Sequence, residues 1–240
     1  MTGTIINVIT VLIGGILGIL FGSRLPERIR QTVIAGLGLF TAVIGIQMFL
    51  KTDNPIVVLG SLLIGGLLGE WWGIENGLIK LGRFLERRFT KVETDPMGNP
   101  VNPQGSRFIR GFLTASLVFC VGPLTILGSI QDGLSGDYNL LAIKSVLDGF
   151  AALAFASTLG IGVLFSIVVI LVYQGGLSLL AAQAQALITQ PMMAELTAVG
   201  GVLLLGLAIS SLLELKQIRV ANFLPALFIA PLIVAIINMF

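Results

Sequence analysis

Two aspartates in the middle of this chain lie in two nearly identical short motifs. Residues 129–133 read SIQDG and residues 145–149 read SVLDG, so Asp132 and Asp148 each precede a glycine. Both motifs lie in a small polar stretch of a strongly apolar chain. A carboxylate in an apolar segment is costly to bury, and in membrane proteins such a group marks an ion, proton or substrate site. These two residues are therefore the first candidates for chemistry.

The two aspartates differ in their surroundings. Asp148 lies inside an apolar segment that begins at Leu140, and Lys144 precedes it by one helical turn on the same face. This pair either binds a solute or ion in the membrane or forms a structural ion pair near the outer surface. Asp132 also allows two interpretations, because Asp-Gly is a common turn dipeptide and residues 131–139 read as a solvated loop. Asp137 is expected to cap the following helix.

Neutral polar side chains extend the candidate site. Their oxygens could coordinate a cation or hydrogen-bond a solute, although serine and threonine in membrane helices commonly bond their own backbone or a neighbouring helix. Asn7 is a further polar residue within an apolar segment. The neutral candidates near the aspartates are Thr125, Ser129, Gln131, Ser145, Ser157, Thr158 and Gln174.

The composition places these residues in a membrane protein. Of the 240 residues 55% are hydrophobic and 11% are charged, and the mean hydropathy is +1.01. A water-soluble domain of this length cannot bury so much apolar surface, so lipid must surround most of the chain. The net charge of +2 is too small to indicate a nucleic-acid partner. The expected partners are the lipid bilayer and a small solute or cation, and a homo-oligomer is left open.

Histidine is absent from the sequence, and Cys120 is the single cysteine. An intrachain disulfide, a zinc or copper site of Cys and His ligands, and histidine-based catalysis are therefore excluded. Cys120 itself is interpreted as a small apolar residue on a membrane helix. No cofactor is expected.

Apolar segments predict an all-α membrane protein of about eight transmembrane helices, with seven as the alternative. The predicted spans are 5–21, 33–50, 56–72, 112–130, two spans within 140–186, then 197–213 and 221–237. Residues 74–89 have the spacing of an amphipathic helix on the membrane surface, and 94–106 read as an irregular loop. We divide the single domain 1–240 into a three-helix unit (1–73), a cytoplasmic helix and loop (74–106), a central helix pair (107–160) and a second three-helix unit (161–240).

Glycines and a proline predict how some of these spans pack. Gly14 and Gly18 lie one turn apart in the first span, as do Gly65 and Gly69 in the third, which favours close helix contact. The Gly-Pro dipeptide at 122–123 predicts a kinked or broken fourth span. The turn between spans five and six is expected at 157–162, with 173–176 as the alternative.

Charge distribution predicts how the chain is oriented. Basic residues collect in segments 23–31, 74–110 and 214–219, which places these on the cytoplasmic side of the membrane and both termini outside. Spans one to three and six to eight are then oppositely oriented triplets. The Gly-Gly pair at 14–15 aligns with that at 175–176. An inverted repeat of this kind is typical of transporters.

The most distinctive sequence runs surround the two aspartates. Residues 119–137 read FCVGPLTILGSIQDGLSGD, and KSVLDG at 144–149 is followed by FASTLGIGV at 155–163. With TIIN at 4–7 and the glycine pair at 14–15, these runs resemble the family of bacterial membrane proteins typified by YqgA and YdfK, a domain of unknown function. The resemblance covers essentially the whole chain and implies a multi-pass inner-membrane protein, but no substrate or catalytic residue.

These features favour a transporter of a small solute or cation that uses carboxylates within the membrane. An ion channel is the nearest alternative, and a non-transporting interaction or regulatory subunit that docks through 74–89 is a third. An intramembrane aspartyl protease would need glycine at position 134, where this chain has Leu134. We therefore expect no enzymatic activity.

Overall fold

The chain is entirely helical in the part that the structure describes. The computed structural model describes residues 1–22, 26–89, 103–121, 123–181 and 188–238. Short 3₁₀ helices lie at Ile161–Phe165 and Val220–Phe223, and a π-helical turn lies at Ala208–Leu212. The helices are α1 Thr2–Gly22, α2 Glu27–Phe49, α3 Pro55–Trp72, α4 Ile74–Phe89, α5 Pro103–Val121, α6 Pro123–Ser135, α7 Asn139–Leu159, α8 Ser166–Leu179, α9 Gln190–Leu207 and α10 Ala226–Ile237. The predicted all-α class is confirmed.

The number of spans agrees with the sequence. Among the described residues, 7 helices are long and apolar enough to cross a bilayer, and the count rises to 8 if α5 and α6 form one bent span. The axes of these two helices differ by 62°. Pro123 begins α6 because it lacks the backbone N–H that would continue α5. The predicted break is therefore present, although Gly122 lies outside the described residues.

Several boundaries differ from the sequence expectation. Gly160 ends α7 with a φ of 83°, a left-handed value that suits glycine, so the turn at 157–162 is present. The alternative turn at 173–176 is wrong, because these residues lie inside α8. The sequence also predicts a polar loop at 183–195, and this is wrong for residues 190–195, because α9 already begins at Gln190. Most of the loop expected at 94–106, and residues 23–25 of the first basic segment, lie outside the described residues.

Glycines lie where helices approach most closely. A Cβ atom at Gly14 would be 2.0 Å from the carbonyl oxygen of Gly149, and one at Gly18 would be 2.3 Å from that of Leu153. α1 and α7 therefore run parallel in backbone contact. On α3, a Cβ at Gly65 would meet the start of α10, and one at Gly69 would meet Asn222 at 1.8 Å.

The first three spans contact the last three in order, and each pair is antiparallel. The crossing of α2 and α9 is reciprocal, because a Cβ on either Gly45 or Gly201 would collide with the carbonyl oxygen of the other. The α1–α8 contacts are Thr4 with Gln174 and, just before α8, Gly15 with Leu164. The α2–α9 contacts are Gly45 with Gly201 and, beyond the end of α9, Gly38 with Leu213. The α3–α10 contacts are Gly60 with Ile233 and Gly65 with Ala226.

The apolar residues divide between an interior and an exposed surface. Val11, Phe119 and Phe155 belong to a buried cluster between α1, α5, α7 and α8. Leu67 and Trp71 are 75% and 81% exposed. An exterior covered with such side chains is suited to lipid rather than water.

Candidate functional site

A buried ion pair on α7 forms the centre of the candidate site. The ammonium group of Lys144 contacts the Asp148 carboxylate one turn further along the helix. The two residues are only 5% and 8% exposed. Unpaired, either charge would cost several kcal/mol in such an environment, on the order of the penalty known for single buried ions. The pair is therefore electrically neutral as a unit.

Polar side chains from α1 and α8 complete this cluster. The Asn7 amide donates to Oδ2 of Asp148 at 3.0 Å and to Oε1 of Gln174 at 2.9 Å. The Gln174 amide in turn donates to Oγ1 of Thr4 at 3.2 Å. Asn7, Gln174 and Thr4 are fully buried. Side chains of α1 and α8 thus converge on the α7 carboxylate that was predicted from its position in span five.

One acceptor of this cluster has no donor. Oδ1 of Asn7 is buried and makes no hydrogen bond. A buried carbonyl without a partner is costly, and such atoms in native structures call for an explanation such as a ligand or an ordered water. The free oxygen belongs to the same amide that contacts Asp148. The cluster can therefore accept one further hydrogen-bond donor.

Asp132 is buried in a helix, so the expectation of a solvated turn is wrong for this residue. It lies in the last turns of α6, and its Oδ2 accepts the backbone N–H of Gly3 at 3.1 Å and contacts the amino group of Met1 at 2.8 Å. Its Oδ1 is buried without a partner. The Asp132 carboxylate of α6 therefore lies beside the first turn of α1, and Asn7 follows one turn later on α1. Asp137 is exposed and accepts the N–H of Asn139, but it precedes the N-cap residue of α7, which is Tyr138.

Most of the predicted neutral candidates bond their own backbone. The hydroxyl of Ser145 donates to the carbonyl of Leu141 at 2.5 Å, and Gln131 is exposed. Ser157 and Thr158 lie at the far end of α7, about 20 Å from Lys144 by the rise of an α-helix. Hydroxyl-to-carbonyl bonds within the local chain are made by Thr125, Ser129, Ser145, Ser157 and Thr158.

An apolar layer closes the cluster on the side away from Met1. Val11 follows Asn7 by one turn of α1 and is fully buried. Phe119 and Phe155 lie in the same cluster, with their ring centroids 6.4 Å apart. Polar groups therefore occupy the first two turns of the α1 interface, and packed side chains fill the next.

Glu195 is a buried acid that the sequence interpretation missed. It is 2% exposed, and its carboxylate accepts the hydroxyl of Thr52 at 2.6 Å and the N–H groups of Asp53 and Asn54 at 2.8 Å each. The carboxylate thus supports the start of α3. Pro191 within the first turn of a helix was the available signal, since proline there indicates a helix start.

Basic residues interact at the opposite end of the helices. Arg107 donates to the carbonyl of Thr158 at 2.9 Å, and Arg110 pairs with Glu214. Arg219 pairs with Glu70. Each contact joins two separate elements, so these cations lie together at the end remote from Asp148.

Glu75 shares that end of the molecule. Its carboxylate accepts the Ala221 N–H at 3.3 Å, and its own N–H donates to Asn222 at 2.8 Å. Burial raises the pKa of Glu75 above its ordinary value, although the Ala221 hydrogen bond and the Arg219 charge oppose the rise.

The described residues hold no group of 3 or more His, Cys, Asp or Glu side chains suited to a metal ion. The site that remains is a buried Lys–Asp pair supported by amides. A helical chain with 7 to 8 apolar spans and a charged pair inside it defines a multi-pass integral membrane protein.

The chain belongs to the family described as Protein of unknown function (DUF554), whose model matches residues 2–235. It is 33% identical over 245 residues to the uncharacterized membrane protein YdfK of Bacillus subtilis (strain 168), covering 100% of this chain and 98% of the relative. It is 37% identical over 229 residues to the uncharacterized protein YqgA of Escherichia coli (strain K12), covering 95% and 94%. No solved structure matches the chain. The family predicted from the runs at 119–137 and 144–163 is confirmed.

Proposed function

We propose that this protein transports a small solute or cation across the bacterial inner membrane, with Asp148 and Lys144 at its binding site. The observation that carries the proposal is the buried charged pair, held by Asn7, whose Oδ1 has no donor. A buried charged pair within one helix is expensive in a membrane protein, where apolar side chains would suffice for packing. A ligand that uses these charges gives a reason for their presence.

The order of helix contacts supports an inverted repeat. If spans one to three and six to eight are related by a two-fold axis in the membrane plane, each helix packs antiparallel on its own image, and residues on the axis contact their counterparts. Gly175 follows Gly14 by the same number of residues as Ala226 follows Gly65. Gly65 and Ala226 are in contact. Repeats of this kind build a central site that alternates between the two sides.

The apolar layer favours alternating access over an open pore. Val11, Phe119 and Phe155 belong to a buried apolar cluster that packs against α1 beyond Asn7. A channel needs a continuous polar path when it is open, whereas a transporter exposes the site to one side at a time.

Orientation follows from the same geometry. The end that carries Arg107, Arg110 and Arg219 would face the cytoplasm, and the end with Met1 and Asp132 would face outward. Reagent labelling of single cysteines introduced at exposed Asp137 and Glu214 in sealed cells tests this. Labelling of position 214 alone from outside contradicts it.

Uptake into proteoliposomes tests the function. The protein should give saturable, gradient-dependent uptake of at least one compound from a panel of alkali cations, amino acids and small organic ions. Asp148→Asn should abolish that uptake, whereas the exposed acid variant Asp137→Asn should retain it. Ohmic single-channel currents, or uptake unchanged by Asp148→Asn, contradict the proposal.

A variant with an unpaired buried lysine could fail to fold, so a second variant is needed. The double substitution Lys144→Gln with Asp148→Asn removes both charges and leaves the cluster neutral. It should be retained in the membrane, elute as the unmodified protein does and show no uptake.

A further inference from the structure

The charge balance of the Lys144–Asp148 pair limits what can bind there. Among the described residues, Lys144 and Asp148 are the charged side chains bonded within the cluster, and Asp132 on α6 pairs instead with the amino group of Met1. Any solute that contacts the Asp148 carboxylate must replace or share the lysine ammonium. The solute must also leave no net charge in a buried site, because an isolated buried ion costs several kcal/mol on the order of known penalties.

Three classes of charged ligand can be compared by this balance. A cation that displaces Lys144 from Asp148 leaves the ammonium unpaired, and an anion that binds Lys144 leaves the carboxylate unpaired. A solute with one ammonium and one carboxylate pairs with both groups, so every buried charge keeps a partner.

The positions of the polar groups suit the two ends of such a solute. Asp148 and Asn7 lie together, and Oδ1 of Asn7 is an acceptor without a donor. A solute ammonium carries several N–H donors, so it can satisfy the Asp148 carboxylate and this free oxygen at the same time. Lys144 lies four residues before Asp148 on the same face of α7, and its ammonium contacts the carboxylate, so a small solute that pairs with Asp148 has the lysine ammonium beside it.

From these observations we infer that the site binds a small zwitterion, a compound with an ammonium and a carboxylate group, which inserts between Asp148 and Lys144. This inference rests on the proposed transport function and names the class of its solute. The ammonium binds Asp148 and Asn7, and the carboxylate binds Lys144. Gln174 holds the Asn7 amide in place through its hydrogen bond at 2.9 Å.

A thermal-shift titration of the purified full-length protein tests the inference. The probes are glycine and β-alanine as zwitterions, methylammonium and acetate as their two separate halves, and sodium chloride as the salt control. A ligand that binds the folded state raises the melting temperature. We expect glycine or β-alanine to raise it, and the separate halves to have no effect at the same concentration.

Variants link the effect to the site. The double substitution Lys144→Gln with Asp148→Asn should lower the affinity for the zwitterion by about tenfold to a hundredfold or more, since charged hydrogen bonds are lost. Asp148→Glu keeps the charge, so it should fold and retain binding more than the double variant. Asp137→Asn should behave as the unmodified protein.

Each other outcome overturns the inference. If methylammonium or sodium binds as well as glycine, and only when Asp148 is present, the zwitterion is contradicted as the ligand class. The proposed transport function is then still supported. If a zwitterion still raises the melting temperature of the double variant, its binding site lies elsewhere in the protein. If no probe binds in a way that depends on Asp148 and uptake is also absent, the proposed function fails with it.

Discussion

Asn7 and Asp148 are joined by a hydrogen bond of 3.0 Å across 141 positions of the chain. The bond links α1 to α7 at a carboxylate that already pairs with Lys144. Because the same amide also donates to Gln174, a third helix is fixed to the pair. The charged pair is local to one helix, whereas its surroundings are assembled from three.

Replacement of Asn7 should therefore impair the site more than the fold. Asn7→Leu has similar volume but removes the donor to Asp148 and the free acceptor oxygen. We expect solute affinity to fall by about tenfold to a hundredfold, with expression retained, as measured by uptake and thermal shift. Thr10→Val, one turn away, removes a hydroxyl that bonds only the Asn7 carbonyl and is the matched control. Equal effects of the two variants would contradict a specific role for Asn7.

A side chain at Gly14 should separate α1 from α7. The Cβ atom of Gly14→Ala would lie 2.0 Å from the Gly149 carbonyl oxygen, so the helices must move apart. We expect a loss of about 1–3 kcal/mol of stability in detergent, measured by thermal or denaturant unfolding. A Cβ at Gly36 would have no neighbouring atom within 4 Å, so Gly36→Ala should be neutral or stabilising by about 0.5–1 kcal/mol. An unaffected Gly14→Ala protein would contradict this packing.

Loss of the Glu195 carboxylate should weaken the start of α3. Glu195→Ala removes the acceptor of Thr52, Asp53 and Asn54, and we expect a cost of about 1–2 kcal/mol, as for loss of a helix cap. Glu195→Gln keeps one carbonyl oxygen for the two N–H groups and should cost less. Thermal unfolding of the two variants in parallel measures the difference. If Glu195→Ala lowers the stability less than Glu195→Gln does, the role of the carboxylate at the start of α3 is contradicted.

Stability should depend on pH through Glu75. Its pKa is raised in the folded protein, mainly by burial. The carboxyl therefore contributes stability that is complete below its ordinary value of 4.5 and is lost as pH rises through the folded pKa. Glu75→Gln cannot ionise, so its melting temperature should exceed that of the unmodified protein at neutral pH and approach it below pH 4.5. A difference that is constant across this range would show that Glu75 ionisation has no part in stability.

Sequence alone was sufficient where the physics is local. Apolar length predicts the membrane class, Pro123 predicts the break between α5 and α6, and Gly160 marks the end of α7. Lys144 and Asp148 lie one turn apart on any α-helix, so their pairing follows from helical geometry.

Only the tertiary structure decided what surrounds that pair. Asn7 and Gln174 are 167 positions apart, and no periodicity shows that they meet. The burial of Asp132 and Glu195 depends on which helices pack beside them. A solvated loop was one of two interpretations of Asp132, and Glu195 was expected at the end of a polar loop. Two residues in one helix are brought together by backbone hydrogen bonds that repeat every turn, whereas helices meet through packing that the whole chain must satisfy at once. For that reason the charged pair was visible in the sequence, and the cluster that holds it was visible only in the fold.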